Sequence, residues 1–313
     1  MTELFNPQGN ESFDGMRTRS GMIAIAGRPN AGKSTLVNGI VGEKVAIVSD
    51  KPQTTRREVR GVLTREDAQL ILVDLPGSQR PRDVMTERMQ KGVIRAVEDC
   101  DGALFVINGE QKSAGGDQYL ADLLKQAKVP VITAVNKIDL LNKERTAQAL
   151  LATAEFAPGE IYPVSARTGE GVTELVAALT EMLPEGPFLF PPEDATDQPI
   201  EFRVSEMIRE QALLRTRDEL PHAIEVQVDE IERVEPADDS GTITYVNAHL
   251  WVETDSQKGI VIGKGGKMIK AIGAAARPGL EELLESHVHL ELKASVRKGW
   301  RRDDGLLDRL GIG

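Results

Sequence analysis

The chain has 313 residues, 40% of them hydrophobic and 28% charged, enough for two domains with separate cores. Its formal net charge of −11 argues against indiscriminate nucleic-acid binding, although it leaves a local basic patch open. No apolar run is long enough to span a bilayer, the N-terminus lacks a signal-peptide core, and one cysteine, Cys100, excludes an internal disulfide or a cysteine zinc site. The expectation is a cytoplasmic protein in which Cys100 is a buried, inert thiol.

Residues 1–20 are polar and aperiodic and predict a mobile tail. From Met22 to about Leu183, short apolar runs alternate with helical stretches, which predicts a doubly wound α/β domain with a mainly parallel sheet. MIAIA (Met22 to Ala26) reads as a buried strand and STLVNGIVG (Ser34 to Gly42) as a helix. Between them Gly27, Arg28, Pro29, Asn30, Ala31, Gly32, Lys33 and Ser34 spell GRPNAGKS, which matches the phosphate loop GxxxxGK[ST] at every defined position. Backbone N–H groups of such a loop wrap phosphates, Lys33 reaches the β- and γ-phosphates, and the Ser34 hydroxyl is placed to ligate Mg²⁺. Thr35 continues into the helix whose N-terminus faces the anion.

PQTTRRE (Pro52 to Glu58) follows as a candidate switch loop. A hydroxyl there could complete a Mg²⁺ shell only when a γ-phosphate is present, and Thr55 is taken ahead of Thr54. DLPG (Asp74, Leu75, Pro76, Gly77) closes the strand LILVDLP. Asp74 is placed to hold Mg²⁺ through water, and Gly77 can offer its N–H to a γ-phosphate. Ser78 comes next and is counted with the nucleotide-binding residues. GALFVIN (Gly102 to Asn108) reads as a further strand. VPVITAVNK leads into NKID (Asn136, Lys137, Ile138, Asp139), where a carboxylate can accept from the N1–H and 2-amino group of guanine. Adenine lacks both donors, and paired hydrogen bonds of this kind discriminate by roughly four to five orders of magnitude. EIYPVSA ends in SAR, where backbone N–H groups at Ser165 and Ala166 could meet the guanine O6.

PEGPFLFPPEDATDQP (184–199) has too many prolines for a helix and reads as a semi-rigid linker. Residues 200–313 then predict an α-β-β-α-α-β order, a small α+β domain. Two helices there are joined by Gly263, Lys264, Gly265 and Gly266, a GxxG loop that lets backbone approach a nucleic-acid strand and clamp about four single-stranded nucleotides. Lys267 and Lys270 follow on one helix face. From Lys258 to Arg302 there are ten Lys/Arg and four Glu, an excess of six positive charges that includes Arg277 and fits an RNA footprint. His287 and His289 alternate on a strand without a third ligand and read as structural or surface residues. Trp251 reads as hairpin packing; Trp300 either stacks on RNA or anchors the last helix, with the anchor preferred.

GRPNAGKS, QTTRR, DLPG and NKID together resemble the translation-factor-related class of bacterial GTPases. With SEMIRE, TRDELPHA, KGIVIGKGGKMIKAIG and LELKASVRKGWRRDD added, the chain resembles the Era-like GTPases, ribosome-assembly GTPases with a C-terminal KH domain, over residues 21–311. The resemblance implies a GTP-hydrolysing switch using Mg²⁺, with a type II KH domain that binds the 3′ end of 16S rRNA on the small ribosomal subunit. It also implies peripheral contact with the cell membrane and no obligate protein partner. Asn30 resembles the asparagine with which related GTPases hold K⁺ beside the phosphates. Lys33, Asn30, Thr55 and Gly77 are then the residues of catalysis. The chain departs from the pattern at Ser78, where Ras-like enzymes place a water-orienting glutamine, and at Leu75, where Thr is common. Slow intrinsic hydrolysis driven by positioning and electrostatics is the expectation. A P-loop kinase would leave NKID and SAR without a role, and a passive RNA-binding protein would show no turnover.

Overall fold

Ile23, Ala24, Ile25 and Ala26 of strand β1 (Arg19–Gly27) are all buried, because both faces of their sheet are covered by helices. The computed structural model describes residues 18–51, 53–77, 84–111, 115–235 and 241–312. Six strands form the first sheet: β1, β2 (Val59–Thr64), β3 (Ala68–Asp74), β4 (Gly102–Asn108), β5 (Val131–Asn136) and β6 (Glu160–Pro163). Their order is β2-β3-β1-β4-β5-β6, parallel throughout except for β2, which runs antiparallel to β3 at the edge. Alternate residues of β1 serve opposite cores. Ile23 and Ile25 pack with Leu36, Val37 and Ile40 of α1 (Lys33–Val41), and Ala24 and Ala26 pack with Val93 and Val97 of α2 (Val84–Glu98). Helix α3 (Gly115–Gln126) joins the second of these faces, and α5 (Val172–Glu181) joins the first. Helix α4 (Lys143–Ala154) contacts β5 and β6. The chain order reverses at β1, and the loops after β1 and β3 open there, where open α/β sheets bind their ligands.

Two sequence expectations are corrected along the edge of this sheet. Arg19 and Ser20, assigned to a mobile tail, lie in β1: the Arg19 guanidinium donates to the Leu183 carbonyl at 2.6 Å and the Ser20 N–H to the Pro184 carbonyl at 3.1 Å. Residues 1–17 lie outside the described residues. The segment 184–199 contains no helix, as its prolines require, yet it is sewn to the sheet rather than strung between domains. The fully buried Gln69 accepts from the Leu189 and Phe190 N–H groups at 2.7 and 2.9 Å and donates to the Phe190 carbonyl at 2.8 Å. Further along, Val62 N–H bonds the Ala195 carbonyl, Thr196 Oγ1 the Arg60 carbonyl, and the Arg60 guanidinium Asp197. The segment covers the β2 edge and satisfies backbone groups that would otherwise be left open.

The second unit starts at α6 (Ile200–Arg215) and continues through α7 (Leu220–Ala223), β7 (Glu225–Val234), β8 (Ile243–Val252), α8 (Asp255–Ile262), α9 (Lys267–Leu284), β9 (His287–Val296) and α10 (Asp304–Arg309). Its sheet, β7-β8-β9, is antiparallel and then parallel. Residues 236–240, between β7 and β8, lie outside the described residues. Val204, Ile208 and Ala212 of α6 and Ile272, Ala276 and Leu280 of α9 recur every fourth residue and face Val246, Ala248, Leu250 and Val252, which recur every second residue on β8. A fourth cluster joins the two units: Met85 and Met89 of α2 pack against Trp251, Trp300, Leu306, Leu307 and Ile312. Trp300 therefore anchors the C-terminal segment, its indole N–H donating to the Ala223 carbonyl at 3.0 Å. Cys100 is buried, and burial pushes its thiol up to about 12. No described helix is long and apolar enough to cross a membrane.

Gln69→Ala should leave two buried N–H groups without acceptors and cost about 1–3 kcal/mol. Chemical denaturation should show that loss, and amide exchange should accelerate at Leu189 and Phe190; unchanged exchange there would mean that the segment is not held by Gln69.

Candidate nucleotide site and nucleic-acid interface

The phosphate loop is shaped by two left-handed residues, Asn30 at φ 64° and Gly32 at φ 95°. A Cβ on Gly32 would stand 2.2 Å from Asn136 Nδ2, so only glycine fits. Lys33 is buried and folds back over the loop, donating to the Gly27 and Arg28 carbonyls at 3.2 and 3.3 Å. The Arg28 guanidinium pairs with Asp117 at 3.1 Å, and the Asn30 side-chain amide donates to the Asp50 carbonyl at 2.7 Å. Pro29, Asn30, Gly32, Lys33, Ser34, Thr35, Thr54, Thr55 and Gly77 line one pocket. Gly77 is packed so closely on the loop that a Cβ there would lie 2.8 Å from Pro29 Cα. Leu75 and Pro76 are buried behind it, and Ser78 lies outside the described residues.

Three oxygen-bearing side chains converge at one end of this pocket. Ser34 Oγ donates to Asp74 Oδ2 at 2.6 Å, Thr55 Oγ1 lies 3.0 Å from Ser34 Oγ, and Thr55 Oγ1 donates to the same carboxylate oxygen at 3.3 Å. Thr54 turns the other way and bonds the Lys51 carbonyl. Burial pushes the Asp74 carboxyl above its ordinary range, against the pull of Lys33, Ser34 and Thr55, and its Oδ1 has no hydrogen-bond partner among the described residues. Burial likewise pushes the Lys33 ammonium down, with Asp74 opposing. Both groups are thus short of countercharge: Lys33 suits an added anion, and the hard-oxygen set of Ser34, Thr55 and Asp74 suits Mg²⁺.

Asn136 braces the opposite end. Its Oδ1 accepts from the Lys137 and Ala166 N–H groups at 2.8 and 2.9 Å, and its Nδ2 donates to the Ala31 carbonyl at 2.9 Å. One buried amide thereby ties the phosphate loop, NKID and SAR together. Lys137 takes a left-handed conformation, φ 69°, that turns the chain into Ile138, which is buried, and Asp139, which is exposed. Ser165 Oγ, itself fully buried, donates to Asp139 Oδ1 at 2.7 Å and fixes the orientation of that carboxylate at the rim.

In the second unit, Gly263, Gly265 and Gly266 all have positive φ, at 71°, 60° and 77°, in the tight turn between α8 and α9. Lys264, Lys267, Lys270 and Arg277 are exposed, and Lys258 is half-buried. His287 and His289 are exposed on β9, where His289 lies against Tyr245, and the described residues hold no cluster of three metal-ligating side chains. Trp251 is buried in packing, with the Arg297 guanidinium over its ring.

A family described as "50S ribosome-binding GTPase" matches residues 22–137, and a KH-domain family matches residues 219–301. GTPase Era of Carboxydothermus hydrogenoformans is 44% identical over 95% of this chain and 99% of its own length. GTPase Era of Mycolicibacterium smegmatis is 43% identical over 94% and 99%. The chain belongs to the Era family of GTPases. Two solved Era structures superpose with a TM-score of 0.88 at 35% identity, covering 95% of this chain and 99% of theirs. One is Aquifex aeolicus Era, a point variant, bound to GDP·AlF₄⁻; the other is Era with MgGDPNP and nucleotides 1506–1542 of 16S ribosomal RNA.

Within this Era-family chain, the structure brings the phosphate loop, Thr55 and Gly77 into one pocket and ties NKID and SAR to that loop through Asn136. Lys264 lies within the GxxG turn, Lys267 follows it, and Arg277 lies further along α9. The sequence reading missed the residues that join the two units. Arg56, directly after Thr55, is buried against Glu225, and Arg209 of α6 bonds the Thr54 carbonyl. The signals available were the arginine pair Arg56 and Arg57 beside Thr55 and the SEMIRE motif, which holds Glu206, Arg209 and Glu210.

Asn136→Ala should untie three loops at once and cost about 2–4 kcal/mol of stability, from buried N–H and C=O groups left unpaired. Thermal unfolding of the nucleotide-free protein should show it; an unchanged midpoint would remove the bracing role.

Proposed function

We propose that this chain is a GTP-hydrolysing switch that binds 16S rRNA near its 3′ end and assists assembly of the small ribosomal subunit. One observation carries the reading: a phosphate-loop pocket and a basic GxxG turn occur on one chain that matches, over 95% of its length, a protein solved with MgGDPNP and a 16S fragment. The family description that names the 50S subunit belongs to a match over residues 22–137, whereas the match to the RNA-bound structure spans both units, so we favour the small subunit. In this reading residues 21–183 hydrolyse GTP, 184–199 brace the sheet, and 200–313 bind RNA. The working protein is cytoplasmic. Peripheral membrane attachment, which the family resemblance also implies, rests on no residue named above.

The chemistry follows from the pocket. Backbone N–H groups of Gly27–Ser34 and the helix N-terminus at Lys33 receive the phosphates, and the Lys33 ammonium regains the countercharge that burial denies it. Ser34, Thr55 and Asp74 would hold Mg²⁺, which supplies neutralisation of charge on the β- and γ-phosphate oxygens. Gly77 offers its N–H to the γ-phosphate, and Thr35 lies beside the same phosphate end. Asp139 reads guanine, with Ser165 orienting it and the Ala166 N–H facing the same edge. No side chain named here acts as a general base, so hydrolysis is slow and depends on positioning and field. A cation beside the transferring phosphoryl group is worth roughly three to five orders of magnitude in this chemistry, and we assign that place to K⁺ held by Asn30. On the RNA side, Lys258, Lys264, Lys267, Lys270 and Arg277 meet phosphates around the Gly263–Gly266 turn.

GTP turnover measured with and without an oligonucleotide of the 16S 3′ end, in KCl and in NaCl of matched ionic strength, tests both parts. RNA should change turnover or GTP affinity by about fivefold or more, the lower range of allosteric coupling, and KCl should outpace NaCl. No response to RNA contradicts the switch; equal rates in the two salts contradict the role of K⁺ alone.

A further inference from the structure

The loop that carries Thr55 is gripped from outside its own domain. Arg56 is 2% exposed and spends its guanidinium on the second unit: Nη1 donates to Glu225 at 2.8 Å and to the Ile224 carbonyl at 2.6 Å, and Nη2 donates to the Pro221 and His222 carbonyls at 3.2 and 3.0 Å. The Trp300 ring closes the other side, 5.4 Å from the guanidinium carbon. Arg57 takes the second oxygen of Glu225 at 3.1 Å. On the other flank of Thr55, Arg209 of α6 donates from Nη2 to the Thr54 carbonyl, while its Nε and the same Nη2 donate to the Glu206 carboxylate at 2.7 and 2.6 Å. One turn further along α6, Glu210 accepts from the Val48 N–H at 2.9 Å and pairs with Lys44.

Thr55 therefore sits between a carbonyl fixed at residue 54 and a side chain fixed at residue 56, both bonded to the KH unit. Its own hydroxyl points the other way, to Ser34 and Asp74. Stability alone accounts poorly for this arrangement, because a buried ion-pair network contributes little compared with apolar residues of the same volume. What such a network does supply is direction, since each bond has one geometry. Resting on the reading of Thr55 as the hydroxyl engaged only with a triphosphate, we infer that Arg209, Glu225 and Arg56 are positioning residues through which the KH unit holds Thr55 in the metal-binding arrangement. The RNA-binding domain is then part of the GTP site, not only a recipient of its signal. Movement of α6 and the start of β7 away from residues 44–57 would release Thr55 and favour GDP.

The test compares nucleotide affinities of the full chain with Mg²⁺ present, using fluorescent GDPNP and GDP analogues. Arg209→Ala and Glu225→Gln should lower the GDPNP-to-GDP affinity ratio by about tenfold or more, the worth of one charge-assisted hydrogen bond. GDP affinity should stay within about twofold, since GDP does not call on Thr55. Arg209→Lys, which keeps a charged donor for the Thr54 carbonyl, should recover part of the ratio. Equal loss of both nucleotides, or no loss of either, would overturn the inference. Thr55→Ala, measured in parallel, separates the two readings. If it leaves the ratio unchanged, the assignment of Thr55 fails; if it lowers the ratio while the clamp variants do not, only the clamp fails. Should Glu225→Gln fail to fold, hydrogen exchange on the unaltered protein decides. Amides 54–57 and 224–226 should slow together when GDPNP replaces GDP, and independent responses would contradict the clamp.

Discussion

The buried ion pair between Arg56 and Glu225 fixes the segment that carries Thr55 against the second unit, and much else in the molecule follows from it. Burial lowers the Arg56 guanidinium to about 10, with Glu225 opposing, so it stays charged near neutrality. Burial also raises the Glu225 carboxyl, but Arg57, Arg56 and Arg209 together outweigh that and hold it below the ordinary carboxylate range. Both partners are ionised across the physiological range. Separating them without water to replace the lost bonds would leave two buried charges, a penalty of about 3–5 kcal/mol. The two units are consequently held in one arrangement until some competing contact supplies that much.

A second contact between the units lies at α2. Helix α2, which follows DLPG, presents Met85 and Met89 to Trp300, Leu306, Leu307 and Ile312, and Arg88 pairs with Asp304 and Asp308 at 3.2 and 2.8 Å. The second unit thus touches both the residue 54–57 segment and α2, the first through buried charge and the second mainly through apolar packing. The 184–199 segment, by contrast, is spent on closing the β2 edge. The contacts between the units are made face to face, by the residue 54–57 segment and α2, rather than through residues 184–199.

What could be read from the sequence was what is encoded within a few residues. GRPNAGKS needs its glycines and its lysine at fixed spacing because the loop wraps one ligand, and GKGG needs positive φ at three glycines within four positions. Asp139 and Asn136 are legible for the same reason, although the bracing role of Asn136, which reaches Ala31, Lys137 and Ala166, is not. The edge strand β2 escaped because VRGVLT carries a glycine and an arginine inside a run of only six residues. Arg56 and Glu225 stand 169 residues apart, and no local periodicity connects them. The start of β1 was missed because Arg19 and Ser20 are polar by type, and their strand character comes from partners at Leu183 and Pro184. For Arg56 and for the start of β1 the deciding contact lies far away along the chain.

A double-mutant cycle between Arg209 and Thr55, read as GDPNP affinity of the full chain with Mg²⁺, tests most directly whether the RNA-binding unit completes the GTP site. If Arg209 acts through Thr55, its removal should matter in the unaltered protein and have almost no effect once Thr55 is alanine, a coupling of about 1 kcal/mol or more. Additive losses, with Arg209→Ala costing the same in both backgrounds, would contradict it.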